Sequence, residues 1–180
     1  MPPSPSPRRN IELKARLNSL DRARAHCAEL AGPPLCERQT DTYFVCSQGR
    51  LKLRQRDPEP AQLVAYARPD ATTPRASDYW LVGVADPATL KAALTAALGV
   101  LVVVEKEREV FLYRNVRIHL DRVIGLGEFV EFEAVMSPGD DEAEAVGLVT
   151  ELARRLGVAP QDRVDGSYSD LLLVKPPAGR

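Results

Sequence analysis

Charged and aliphatic residues alternate along several stretches of the chain. In residues 10–17, Glu12, Lys14 and Arg16 recur at a period of two, and the positions between them are aliphatic. Successive side chains of a β-strand point to opposite faces, so this period predicts a strand with one charged and one aliphatic face. The same alternation occurs in residues 51–56, 115–123 and 129–134.

Cap and turn residues divide the rest of the chain. Asp86 and Pro87 mark the start of a helix that ends at Gly99, and Arg154 and Arg155 suit the last turn of another helix, where cations complement the helix dipole. We expect strands at 10–17, 36–46, 50–56, 62–68, 77–84, 101–113, 115–123 and 128–136, and helices at 18–30, 86–99 and 140–156. Antiparallel strands with inserted helices indicate an α+β fold.

Two sheet architectures fit the charged strand faces. An open antiparallel sheet commonly buries one face and solvates the other, and its opposed charges form cross-strand pairs. A closed barrel instead directs the charged faces into a polar lumen and packs the aliphatic faces outward against helices. The alternation alone does not choose between them.

The composition is that of an ordinary globular protein. The 180 residues carry a net charge of −1, which gives no overall basic field for nucleic acid. We expect a disordered leader at 1–8, one domain at 9–175, and a monomer or homodimer. Cys27, Cys36 and Cys46 cannot all pair and lack zinc-ligand spacing, which favours the cytoplasm, and no apolar run is long enough for a membrane span.

If the sheet closes, the pleat places an excess of cations in its lumen. Like charges a few ångströms apart repel by about 4 kcal/mol at an effective dielectric constant of about 20. A polyanion rich in phosphate would relieve this repulsion, because arginine and lysine both bind phosphate oxygens. The candidate phosphate-binding residues are Lys14, Arg16, Lys52, Arg54, Arg68, Lys106, Arg108 and Arg117.

Carboxylates occupy the same faces as these cations. Glu12 lies on the first predicted strand, and Glu131 and Glu133 lie on the last, so closure of the sheet would bring their oxygens together. Carboxylate oxygens bind Mg²⁺ or Mn²⁺, and such an ion would bridge the protein to phosphate. Asp121 is a further acidic candidate on the neighbouring strand.

Simpler interpretations of these charges also stand. A lone charged residue on a strand usually faces solvent. His119, on the same face as Arg117 and Asp121, could carry a proton or orient a phosphate, but a structural hydrogen-bonding role is the commoner one.

Several short strings fall in a recognisable order. Residues 10–14, Asn-Ile-Glu-Leu-Lys, resemble the Glu-x-Glu-x-Lys signature of the CYTH superfamily, the triphosphate tunnel metalloenzymes, which includes class IV adenylate cyclases and thiamine triphosphatases. The resemblance extends over about residues 9–173. Its other strings lie at residues 39–44, 49–54, 105–108, 117–121, 126–133 and 167–168. The resemblance implies a closed tunnel of eight antiparallel strands.

The resemblance also implies roles for individual residues. Glu12, Glu131 and Glu133 match metal-binding carboxylates, and the basic candidates match phosphate-binding positions; among these residues, Glu131, Glu133 and Lys14 are the catalytic candidates. Asn10 stands in place of the first motif glutamate. Its amide oxygen can still bind a hard cation, but it brings no charge, and Asp121 is the candidate that could compensate.

Three functions remain open. The first is divalent-metal-dependent hydrolysis of a small-molecule triphosphate, either inorganic tripolyphosphate or an organic triphosphate. The second is conversion of ATP to cyclic AMP and pyrophosphate, as in a class IV adenylate cyclase. The third is a triphosphate-binding or polyphosphate-binding module without turnover.

Overall fold

A computed structural model describes residues 6–67 and 70–174. Its strands are β1 (Arg8–Arg16), β2 (Leu35–Phe44), β3 (Arg50–Asp57), β4 (Gln62–Ala67), β5 (Arg75–Gly83), β6 (Val100–Tyr113), β7 (Val116–Val123), β8 (Gly127–Met136) and β9 (Arg163–Val164). Its α-helices are α1 (Leu20–Ala31), α2 (Pro87–Leu98), α3 (Glu142–Arg155) and α4 (Tyr168–Val174). The strands and helices expected from the sequence are confirmed, each with ends within two residues of the expected ones.

The first strand closes the sheet, because both of its edges are paired. One edge pairs with β8, where Glu12 faces Glu133, and the other pairs with β5, where Glu12 faces Arg75. The remaining neighbours follow in the order β5-β4-β3-β2-β6-β7-β8. Every pair is antiparallel, so eight strands form a closed barrel. Of the two expected architectures, the barrel is the one observed.

The largest hydrophobic core lies outside the barrel wall. Buried side chains from β1, β7 and β8 meet buried side chains from α1 and α3 there; they include Ile11, Leu13, Ile118, Leu120, Phe132, Leu20, Cys27, Val149 and Leu152. Ser19 caps α1 by accepting a hydrogen bond from the amide of Arg22, and Asp141 caps α3 by accepting one from the amide of Ala143. The aliphatic strand faces therefore pack outward against helices, and the charged faces are left to the interior.

The C-terminal segment covers one end of the barrel. β9 pairs with β1 beyond its contact with β5, and Lys14 faces Val164 there. α4 then places the Tyr168 ring 5.0 Å from the ring of Phe129 in an edge-on arrangement. The sequence pattern predicts neither element, because β9 has two residues and α4 has seven, too few for a periodicity to show.

Parts of two predictions lie outside the described residues. Arg68 is one of the expected phosphate-binding residues and is among them, as are residues 1–5 of the expected leader. Arg8, the last residue of that leader, begins β1. Among the helices that the structure describes, none has the length and apolar character needed to cross a membrane.

Candidate functional site

A cavity of about 570 Å³ occupies the interior of the barrel. Its basic lining residues are Arg8, Lys14, Lys52, Arg54, Arg56, Lys106, Arg108 and Arg117, and its acidic ones are Glu12, Glu37, Glu59, Glu131 and Glu133. The lining therefore carries eight cationic and five anionic side chains. This excess of positive charge in a walled cavity attracts an anion.

The register of β1, β8 and β7 brings acidic side chains to one wall. Glu131 faces Lys14 on β1 and His119 on β7. Glu133, two residues further along β8, faces Glu12 and Arg117. Because side chains two residues apart in a strand share a face, these two levels stand one above the other inside the barrel.

Glu131 is paired with two cations inside the wall. Its Oε1 lies 3.3 Å from Lys14 Nζ, and its Oε2 accepts a hydrogen bond of 2.8 Å from Arg108 Nη2. Burial alone would raise the pKa of this carboxyl, but the nearby Lys14, His119 and Arg108 side chains outweigh burial and hold the pKa well below its usual value. Glu131 is therefore an anion under ordinary conditions.

Three potential metal ligands lie together beside this pair. One ligand atom from each of His119, Glu131 and Glu133 lies within 4.8 Å of the other two. His119 Nδ1 is 3.5 Å from Glu131 Oε2 and 3.8 Å from Glu133 Oε1. The carboxylate of Glu12, which faces Glu133 across the strands, lies 3.5 Å from Arg75 Nη2.

Asp41 organises a second group of cations on β2 and β3. Its Oδ2 accepts a hydrogen bond of 2.7 Å from Lys52 Nζ, and its Oδ1 accepts one of 3.0 Å from Arg54 Nε. Burial alone would raise the pKa of Asp41, but Arg54, Lys52 and Lys106 together lower it far below its usual value. The carboxylate therefore holds both basic side chains in fixed positions at the cavity wall.

Asp121 plays the same part for the cations of β6. Arg108 binds both of its oxygens at 2.6 Å, and Lys106 Nζ lies 3.2 Å from Oδ2. Burial and Arg108 lower the pKa of Lys106 to about 7, although Asp121 opposes them. Asp121 itself is fully buried and is outside the cavity lining.

Three leucines line part of the cavity mouth. Leu35 begins β2, Leu112 lies near the end of β6, and Leu81 lies near the end of β5. These strand ends meet at the same end of the barrel, opposite Tyr168, and the three leucines line the cavity. Leu35 is 67% exposed and Leu112 is 57% exposed. The deep part of the cavity is thus charged, and the mouth carries these aliphatic side chains together with charged ones such as Arg8 and Glu59.

A family model for the CYTH domain matches residues 8–168 of the chain. The chain belongs to the CYTH family. No curated protein matches it in sequence. The match runs from the first residue of β1 to Tyr168, so it includes the whole barrel wall.

Solved structures share the fold of this CYTH domain. The PH1012 protein from Pyrococcus horikoshii is 25% identical, with 90% of this chain and 98% of that chain covered and a TM-score of 0.79. A proposed adenylate cyclase from Vibrio parahaemolyticus is 20% identical, with 92% and 98% covered and a TM-score of 0.70. HpAC1 from Hippeastrum, a proposed adenylyl cyclase with a dominant triphosphatase activity, is 16% identical, with 91% and 94% covered and a TM-score of 0.61.

Most of the predicted site residues line the CYTH cavity together. They are Glu12, Lys14, Lys52, Arg54, Lys106, Arg108, Arg117, Glu131 and Glu133. Arg16 is not among its lining residues: the side chain is exposed, its guanidinium lies 4.9 Å from the Phe129 ring centre, and it donates a hydrogen bond to the carbonyl of Leu126. Asp121 lies behind the lining, where Arg108 and Lys106 engage it.

Several residues on the inward strand faces of this CYTH domain were not predicted from the sequence, and of Arg75, Asp41 and Gln39 only Gln39 lines the cavity. Arg75 faces Glu12 at the start of β5, two residues before the start that the sequence predicts for this strand. Extending the period of two back from Ser77 and Tyr79 would have found it. Asp41 and Gln39 are on the inward face of β2. The opposite face carries polar threonines in place of aliphatic residues, so this strand shows no clear alternation of polar and aliphatic positions.

Proposed function

We propose that this CYTH domain is a divalent-metal-dependent triphosphatase. The observation that carries the proposal is the convergence, inside one walled cavity, of eight basic side chains with the neighbouring carboxylates Glu131 and Glu133. Basic side chains bind a chain of phosphates, and hydrolysis of its terminal phosphoanhydride needs charge stabilisation and an oriented water molecule.

The internal ion pairs support binding by exchange of partners. Lys14 and Arg108 neutralise Glu131, and Lys52 and Arg54 neutralise Asp41. These pairs avoid the large cost of buried, unpaired charge in the free protein. An incoming triphosphate can take over hydrogen bonds from the cations that line the cavity, and the bidentate fork of arginine matches phosphate oxygens well.

The acidic wall fits a divalent cation. Glu131 and Glu133 supply carboxylate oxygens near one another, and the buried Oδ1 of Asn10, which lines the cavity, has no hydrogen-bond partner among the described residues. When bound, a divalent cation there would neutralise phosphate charge and make the terminal phosphorus more electrophilic. Glu12 and Asp121 remain candidates from the sequence, but each faces an arginine, Arg75 and Arg108 respectively.

The chain's own residues would position the reacting groups. Lys14 Nζ, held by Glu131 and 4.0 Å from the Tyr168 ring centre, can stabilise negative charge on the phosphates. Glu133 can accept a hydrogen bond from the attacking water. The water oxygen then bonds to the terminal phosphorus, the bridging oxygen leaves with the electron pair, and the products are orthophosphate, which keeps both protons of the water, and the shortened phosphate compound.

The leucines at the mouth favour an organic triphosphate over tripolyphosphate. Binding sites for small molecules combine apolar surface with a few polar groups. Tripolyphosphate has no apolar part that could contact Leu35, Leu81 or Leu112, whereas an organic triphosphate with its phosphates deep in the barrel would place its organic group beside them. The same mouth would serve the nucleoside of ATP, so adenylate cyclase is the second candidate.

Phosphorus NMR of complete reactions tests the proposal. Tripolyphosphate, thiamine triphosphate and ATP are each incubated with the protein and Mg²⁺, Mn²⁺ or a chelator. Metal-dependent release of orthophosphate is the expected result. Cyclic AMP with pyrophosphate would replace the proposal with the cyclase, and binding without products would replace it with a module that lacks turnover.

A further inference from the structure

His119 is a buried side chain with an unused nitrogen. It is 4% exposed, and its Nδ1 has no hydrogen-bond partner within the part of the chain that the structure describes. Buried ring nitrogens are normally paired, because an unpaired one loses its hydrogen bonds to water without replacement. His119 lines the cavity, so a ligand there is the available partner.

The surroundings of Nδ1 have the spacing of a metal site. Metal–ligand bonds from nitrogen and oxygen are about 2.0–2.2 Å, so two ligand atoms on one ion stand about 3–4 Å apart. The Nδ1 atom lies 3.5 Å from Glu131 Oε2 and 3.8 Å from Glu133 Oε1. The first separation is at the outer limit of a hydrogen bond, so the contact that helps to lower the pKa of Glu131 is a weak one, and a simple histidine–glutamate pair explains the arrangement less well.

The contact between Arg108 and Glu131 is compatible with this arrangement. Arg108 Nη2 donates to Glu131 Oε2 at 2.8 Å. A carboxylate has about four lone-pair positions, so Glu131 can bind a cation while it accepts this hydrogen bond. Arg108 would then also fix the orientation of the ligand, as hydrogen-bond partners of metal ligands commonly do.

We propose that His119 Nδ1 is a ligand of the divalent metal, together with Glu131 and Glu133. The inference rests on the proposed function, because it assigns a further ligand to the cation proposed there. Mg²⁺ prefers oxygen ligands alone, whereas imidazole is a good ligand for transition metals. A site with one nitrogen and two carboxylates therefore selects Mn²⁺ over Mg²⁺, and His119 supplies that selectivity.

Pulsed EPR of the Mn²⁺-loaded protein tests the assignment directly. The chain contains two histidines, and His26 lies on α1, which packs outside the barrel. Histidine labelled with ¹⁵N should change the nitrogen coupling of Mn²⁺ in the wild type and in His26→Gln. In His119→Gln the coupling should be absent. A Mn²⁺-loaded wild type without nitrogen coupling, or a protein that binds no Mn²⁺, would overturn the proposal.

Metal titrations test the selectivity in the absence of substrate. Free Mn²⁺ is followed by EPR, and Mg²⁺ affinity is obtained by competition. His119→Gln should weaken Mn²⁺ binding by at least about tenfold, the loss found even for residues that only support a metal ligand. Mg²⁺ affinity should fall less than Mn²⁺ affinity, and His26→Gln should change neither. Equal losses for both ions, or none, would contradict the proposal.

The two experiments separate this inference from the proposed function. Nitrogen coupling without phosphate release would leave the ligand assignment in place and remove the triphosphatase. Phosphate release without nitrogen coupling would support the triphosphatase and remove His119 from the metal ligands. If His119→Gln failed to fold, the comparison of labelled wild type with His26→Gln would still decide whether His119 binds the metal.

Discussion

The Tyr168 hydroxyl donates a hydrogen bond of 2.7 Å to Asp121 Oδ2. This bond joins α4 to β7 across 47 residues of sequence, and Asp121 in turn holds Arg108 and Lys106. Lys14 and Lys106 also lie over the Tyr168 ring, 4.0 and 5.0 Å from its centre. Tyr168, which lies at the end of the barrel opposite the mouth, therefore also fixes the cations at that end.

Tyr168→Phe should lower the free energy of unfolding by about 1.5–3 kcal/mol, because a buried hydrogen bond to a carboxylate is lost while the ring remains. Urea unfolding monitored by circular dichroism measures the change. Tyr113→Phe, at a partly buried tyrosine on β6, is the matched control. An equal effect of the two substitutions would contradict the role of the Tyr168 hydroxyl.

Asp41→Asn should destabilise the protein by about 3–5 kcal/mol, because it leaves Lys52 and Arg54 without their buried partner. Asp78→Asn is the control, since Asp78 is half exposed and its contact with Arg9 is 3.9 Å long. Urea unfolding at neutral pH compares the two. A small effect of Asp41→Asn would show that solvent or other groups satisfy both cations.

The stabilisation from Asp41 should depend on pH in one direction. Its pKa in the folded protein lies below the unfolded value of about 3.9, so the unfolded chain binds the proton first. The contribution is complete above about pH 5 and is lost as the pH falls below about 4. The difference in unfolding free energy between wild type and Asp41→Asn should therefore shrink between pH 5 and pH 3. A constant difference would disagree with this assignment.

Glu133→Gln should reduce metal-dependent phosphate release by at least about a hundredfold, since it removes a charged ligand and the proposed water acceptor. Metal-free binding of tripolyphosphate should persist, because the cationic lining is intact. Phosphate release and calorimetric binding are measured side by side. Glu144→Gln, on the exposed face of α3, is the control. Unchanged turnover in Glu133→Gln would remove Glu133 from the mechanism.

Arg117 and Arg16 should differ in their effect on triphosphate binding. Arg117 lines the cavity, and Arg16 does not. Loss of a hydrogen bond to a charged group costs about 1.5–3 kcal/mol, so Arg117→Gln should weaken tripolyphosphate binding about tenfold or more. Arg16→Gln should change it little. A larger loss of tripolyphosphate binding in Arg16→Gln than in Arg117→Gln would support Arg16 as one of the phosphate-binding residues that the sequence predicts.

Leu112→Ser should raise the KM for an organic triphosphate and leave the KM for tripolyphosphate unchanged, because only the organic group would contact the mouth. Burial of about one leucine side chain corresponds to about 1.5–3 kcal/mol, or roughly a ten- to hundredfold change. Ile124→Ser, at an exposed isoleucine in the turn between β7 and β8, is the control. Equal effects on both substrates would argue against a substrate with an organic group at the mouth.

Periodicity predicts much of this molecule because it depends on local geometry. Glu12 and Lys14 share a face by the pleat alone, and the prediction that both face the lumen is confirmed by their place in the cavity lining. The alternation alone leaves closure of the sheet open, because the pairing of β1 with β5 joins residues about 65 apart. The resemblance to the CYTH superfamily implies a closed barrel, whereas the alternation fits both an open sheet and a barrel.

The remaining differences come from contacts that a sequence pattern does not contain. Arg16 follows the period of Glu12 and Lys14, but it lies at the end of β1, where Phe129 and the carbonyl of Leu126 attract its guanidinium outside the cavity. His119 has the same period as Arg117 and Asp121. The sequence does not show that its Nδ1 is unpaired and lies beside Glu131 and Glu133, because this arrangement depends on the pairing of β7 with β8.

The double pairing of β1 also sets the order in which the barrel can be completed during synthesis. β1 is synthesised before all of its partners, and β8 and β9 lie more than 110 residues later in the chain. Pairings of such long sequence separation form slowly and require that most of the loop-closure entropy be lost first. One edge of this highly charged strand can pair once β5 has been made, but the edge that pairs with β8 stays unpaired until β8 has been made, and its lysine and arginine side chains would protect that edge from pairing with other chains.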